Sequence, residues 1–131
     1  MKPWLQQSCE GFQSLLALRP ELQKKYQDFL SVVENNESVP DQVYDLCRAR
    51  IQHIHGLRAE DVASTNEAET AALVAAERIP YQHHQLSDEE VDALKAAFGD
   101  QGCVALLTAL AFFDVTCRLE ATFNSSQMSE Q

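Results

Sequence analysis

The feature that most constrains this chain is its last long apolar stretch. Cys103, Val104, Leu106, Leu107, Leu110, Phe112, Phe113, Val115, Cys117 and Leu119 spread around most of the circumference of one helix. A helix that is apolar all round must be covered all round. Either the centre of a bundle or a subunit interface meets that demand, and the interface is the favoured reading. The uncharged part runs only from Gln101 to Phe113, short of the ~18 residues that span a bilayer, so no membrane segment is expected.

Upstream, the same three-and-four spacing recurs between clear start and stop signals. Leu22, Tyr26, Phe29, Leu30 and Val33 follow Pro20, which suits a first helical position, and Asn35-Asn36 closes that helix. Ser38-Val39-Pro40-Asp41 opens the next, Val43, Leu46, Cys47, Arg50, Ile51 and Ile54 continue it, and Gly56 stops it. Asn66 caps a third helix with Glu69 as its capping-box partner, and Ile79-Pro80 should end it. Ser87 to Glu90 is a second capping box, leading into Val91, Leu94 and Phe98, with Gly99 as the stop. The expected fold is all-α, a compact bundle of about five to six helices with no strand alternation. It is read as one domain over 1–131, with a leading helical segment at 1–19 (Trp4, Leu5, Phe12, Leu15, Leu16, interrupted near Gly11) and a frayed tail at 124–131.

Charge and cysteine usage narrow the function. Ten Lys and Arg against twenty Asp and Glu leave a net charge of −10. That sign disfavours nucleic acid and anionic membrane surfaces as partners. The four cysteines show no disulfide-framework spacing, and MKPWLQQSCEGFQ carries no apolar run of the signal-peptide kind. Free thiols in a reducing cytoplasm are the expectation. Cys103 and Cys117 sit on one expected helix, about 21 Å apart at ~1.5 Å per residue, too far for a disulfide.

The order of motifs resembles a known superfamily. Asp45-Leu46-Cys47-Arg48-Ala49-Arg50-Ile51-Gln52-His53-Ile54-His55-Gly56 is similar to the "ELxRLRVxxLNG" helix of the carboxymuconolactone decarboxylase-like superfamily, which includes alkylhydroperoxidase D. Glu67 to Pro80, Ser87 to Phe98, and Phe112 to Phe123 with Asp114 and Arg118 resemble its later helices. The resemblance implies an all-α subunit assembled into trimers or hexamers. It also implies a redox centre in the peroxidase members, made of a Cys-x-x-Cys pair, a following His and a preceding Glu. Mapped onto this chain, those positions hold Leu57 and Glu60, Ser64 and Asp45, so the redox centre is lost.

Candidate site residues follow from the residues and from the resemblance together. His53 lies on the helix that lines the family's site and is the expected proton-transferring residue, and Asp45 holds the family's acid position. Arg48, Arg50 and His55 are the expected substrate-binding residues, because a guanidinium can hold a carboxylate. His55 also falls at a helix C-terminus, where an imidazolium is favoured. His53 and His55 point about 200° apart on a helix and cannot share a metal ion. Asp114 and Arg118 form an i,i+4 structural ion pair. His83 and His84 are expected on a solvated turn. No metal and no cofactor are expected. Three functions compete: a non-peroxidase, homo-oligomeric binding or scaffold protein with a small-molecule ligand; a cofactor-free lyase acting on a small carboxylic acid through His53; and, last, a peroxidase using non-standard cysteines.

Overall fold

Gly99 divides the longest helix among the described residues, with φ 73° and ψ 175° in an otherwise helical run. The structure, a computed structural model, describes residues 11–128, with side chains through Phe123. Its helices are α1 (Gly11–Leu16), α2 (Pro20–Glu34), α3 (Asp41–Ile54), α4 (Glu67–Gln82) and α5 (Asp88–Met128), with a 3-10 turn at His83–Gln85. No strand occurs among the described residues, and the fold is an all-α bundle. The break at Gly99 separates α5 into an N-terminal arm, 88–98, and a C-terminal arm, 100–128. Trp4 and Leu5 of the expected leading segment lie outside the described residues; Phe12 and Leu16 of α1 are buried.

Local chemistry explains most helix ends. Pro20 begins α2 at a position whose N–H has no helical partner to lose. Ser87 and Glu90 form a reciprocal capping box: the Ser87 N–H donates to Glu90 Oε1 at 3.0 Å, and the Glu90 N–H donates to Ser87 Oγ at 3.1 Å. These bonds hold the Glu90 carboxyl below its ordinary range. At α4 the box is displaced by one residue. Asn66 Oδ1 accepts from the Glu69 N–H at 2.8 Å, but the Glu69 carboxylate accepts from the N–H and hydroxyl of Thr65. That set of bonds satisfies the side-chain oxygens of the buried Glu69.

Two helix ends differ from expectation. Pro80 does not end α4; the helix passes through it to Gln82. Proline removes the bond to the carbonyl one turn back and crowds that carbonyl, a local cost that surrounding contacts can offset. Its ring is buried, and its own carbonyl accepts from Arg118 Nη2, so little is lost so near the helix end. The C-terminal arm likewise carries on to Met128, past the Phe123 end at which a frayed tail was expected to begin.

The core gathers Tyr44, Cys47 and Ile51 of α3, Leu73 and the small face Ala72, Ala75 and Ala76 of α4, Leu94 of the N-terminal arm, and Leu106, Leu110 and Phe113 of the C-terminal arm. Each fully buried leucine contributes about 1.5–3 kcal/mol. The alanine face lets α4 lie close against α5. By length and composition 88–123 could cross a membrane, which the uncharged run alone did not show; in this fold 44% of its most apolar window is buried. The expectation of cover on all sides fails within one protomer. Val104 is 67% exposed, and Val115 and Leu119 share its outward side. One helix packed against neighbours on one side leaves its other side open.

Candidate functional site

The expected site residues on α3 separate around the helix. Arg48 turns toward α2 and the C-terminal arm: Nη1 donates to Asp45 Oδ1 at 3.0 Å, Nη2 donates to Glu34, and the guanidinium lies 4.3 Å from the centroid of Phe113. Arg50 turns the opposite way. Its Nε donates to Asp61 Oδ1 at 2.7 Å, Nη1 to Glu77, and Nη2 to the Val62 carbonyl at 2.8 Å. It ties the loop after α3 to α4, and the arrangement holds the Asp61 carboxyl below its ordinary range despite opposing desolvation. The two arginines are two residues apart, so the same ~200° rotation that divides His53 from His55 divides them. They cannot hold one substrate carboxylate between them.

His53 is half-buried and bound to the loop, with Nδ1 at 3.1 Å from the Arg58 carbonyl. The more elaborately held imidazole is His55. Its side chain is 5% exposed; Nε2 is 2.6 Å from Asp114 Oδ1, and Nδ1 is 3.4 Å from the Tyr81 hydroxyl. Asp114 Oδ2 accepts from Arg118 Nε at 2.9 Å, and the Arg118 guanidinium lies over the Tyr81 ring. The ionic bond to Asp114 raises the Arg118 pKa. The sequence pair Asp114 and Arg118 is thus present, but as part of a four-residue cluster joining α3, α4 and α5. His83 and His84 lie in the 3-10 turn with their rings 5.5 Å apart, both exposed.

A cavity of about 350 Å³ opens beside Arg48, between α1, α2, α3 and the C-terminal arm. Phe12, Tyr26, Leu30 and Phe113 supply apolar walls; Arg48, Gln52, Cys117 and Glu120 supply polar atoms. Arg50 lines a different cavity, of about 290 Å³, with Val62, Ser64 and Glu77. A groove of about 430 Å³ between α4 and the N-terminal arm contains none of the expected site residues. Gln52 and Glu120 gave no motif to follow. Their only signal was position: Gln52 lies one turn beyond Arg48, and Glu120 three residues beyond Cys117.

The cysteines decide what chemistry the cavity can do. Cys47, Cys103 and Cys117 are free and buried. Burial pushes the Cys47 and Cys117 thiols up to about 12, with Glu120 and Asp114 adding to the shift at Cys117. A thiol so placed is protonated at neutral pH and is a poor nucleophile. Cys103 is shifted in the same direction by burial. Cys9 lies outside the described residues. No group of three or more His, Cys, Asp or Glu able to hold a metal ion occurs among the described residues.

No family model, curated protein or solved structure matches this chain.

Proposed function

We propose that this chain is a homo-oligomeric helical protein that binds a small molecule in the cavity beside Arg48 and performs no thiol peroxidase chemistry. The carrying observation is that the thiol lining the cavity, Cys117, is buried and held protonated. The resemblance to the carboxymuconolactone decarboxylase-like superfamily agrees, since Leu57, Glu60 and Ser64 stand where its redox centre would be. Outward-facing Val104, Val115 and Leu119 on the C-terminal arm, with Leu22, Phe29 and Val32 on α2, supply apolar surface for self-association. Free thiols fit a reducing, cytoplasmic setting.

The test is turnover of an organic hydroperoxide with a dithiol reductant, by the parent chain and by a variant with all four cysteines changed to alanine. Neither should turn over. Parent activity that disappears in the variant would overturn the proposal. Light scattering at micromolar concentration checks the assembly: a mass above the 14.7 kDa of one chain is expected, and a monomer throughout would refute it.

A cofactor-free lyase acting on a small carboxylic acid is the second reading. It draws its support from the His55 contact with Asp114, a carboxylate-held imidazole, rather than from His53. Its test is release of carbon dioxide from an enolisable keto acid, with His55→Gln abolishing that release while His53→Gln preserves it.

A further inference from the structure

We infer that the cavity beside Arg48 takes a small organic ammonium ion carrying an apolar group. The inference rests on the proposal that this cavity binds a small molecule, and on neither the missing redox centre nor self-association. At about 350 Å³ the cavity falls in the range of small-molecule sites. Its polar groups can be sorted into those already spent and those free.

The Arg48 charge is already balanced. Its two terminal nitrogens donate to Asp45 and Glu34, and one face is covered by Phe113. With two carboxylates on it, the guanidinium holds little net attraction for a ligand carboxylate. The Tyr26 hydroxyl is spent on the Phe112 carbonyl and Thr116 Oγ1, and Thr116 donates to that same carbonyl. The free groups differ in kind. The side chains of Glu120 and Gln52 make no hydrogen bond or ion pair with any described residue, and both residues line the cavity. Glu120 Oε1 lies beside Gly11, within 3.8 Å of where a Cβ would stand. Among the described lining residues the uncompensated charge is therefore a carboxylate, and the chain is acidic as a whole, at −10.

The walls suit the same ligand. Phe12 and Tyr26 stand edge to face at 5.3 Å, and Phe113, with the Arg48 guanidinium on one face, is the third aromatic lining residue. Aromatic faces attract a cation electrostatically, and a poorly hydrated ammonium loses little on leaving water. Leu30 receives the apolar part, and the Gln52 amide can hydrogen-bond a polar substituent. An anion would meet Glu120 with no free cation among the described lining residues to balance it.

The experiment uses the full chain and three probes of matched shape: benzyltrimethylammonium, benzoate and benzyl alcohol. Affinity is measured by calorimetry, and the site by nuclear magnetic resonance shifts of Phe12, Tyr26 and Phe113. The ammonium probe should bind saturably, shift these rings, and weaken at higher salt. Glu120→Gln should lower its affinity about tenfold or more, while Glu60→Gln, which removes an exposed acid elsewhere, should leave it unchanged. Thermal melting confirms that each variant folds. Equal weakening by both substitutions, or no weakening by Glu120→Gln, overturns the inference. Benzoate or benzyl alcohol shifting the rings at least as strongly as the ammonium overturns the ligand class while leaving the cavity a binding site. No shift with any probe overturns both.

Discussion

His55 Nε2 lies 2.6 Å from Asp114 Oδ1, a contact between the C-terminal end of α3 and the middle of the C-terminal arm. Asp114 also accepts from Arg118, whose Nη2 reaches the Pro80 carbonyl, so one carboxylate links α3, α4 and α5. Asp114→Ala leaves the buried His55 nitrogen without its partner. The expected loss is about 1–3 kcal/mol of stability, with a smaller loss for Asp114→Asn. Asp45→Ala breaks only a surface contact and should cost under about 1 kcal/mol. Urea unfolding of the three variants checks the order; equal losses would show that the buried cluster holds nothing together.

Gly99 and Gly102 should both resist alanine, for different reasons. Gly99 adopts φ 73° with extended ψ, a region essentially restricted to glycine, so Gly99→Ala should cost about 1–3 kcal/mol. At Gly102 a Cβ would stand 2.6 Å from Phe98 Cβ and 3.0 Å from Ser38 Cβ. Overpacking there should cost about 1–3 kcal/mol, against the ~1 kcal/mol that alanine gains in an uncrowded helix. The sign is the test: a higher melting temperature for Gly102→Ala would contradict the close approach.

Alkaline pH should destabilise the protein through its thiols. Cys47 and Cys117 are pushed up to about 12 when folded, against an ordinary value of 9.0. A group whose folded pKa is raised contributes stability that is complete below the unfolded value and lost as pH rises toward the folded one. Stability should therefore fall between about pH 9 and 12, by up to about 1.4 kcal/mol per pH unit for each thiol. Burial also raises Tyr26 and Tyr44, which add in the same direction at the upper end. Changing Cys47 and Cys117 to alanine should flatten the slope and leave the tyrosine part. An unchanged slope would show that the thiols are not held neutral.

Substitutions on the two sides of the C-terminal arm should separate folding from assembly. Leu110 and Phe113 are buried within the protomer, so a charge at either should unfold the chain. Val104→Glu and Val115→Glu alter exposed positions; they should leave the melting of the protomer intact and reduce its mass in solution. An unchanged mass would remove this face from the interface.

Helix identity was legible in the sequence because its signals are local. Pro20, the Ser87 and Glu90 box, Asn66, Gly56 and Gly99 act over one helical turn, and each marks its boundary in the structure. Pro80 was misread because its effect depends on what surrounds it: a buried ring and an Arg118 donor from α5. The site was legible only in pieces. Residue types on α3 suggested charge and acid–base chemistry, but their directions follow from the 100° turn per residue, which sends Arg48 and Arg50 to separate cavities. The meeting of His55 with Asp114 and Tyr81, and the gathering of Arg48, Gln52 and Glu120 around one cavity, join residues distant in the chain. Such contacts depend on how the helices cross. Burial of the apolar faces settles that crossing for the molecule as a whole, and no short segment encodes it.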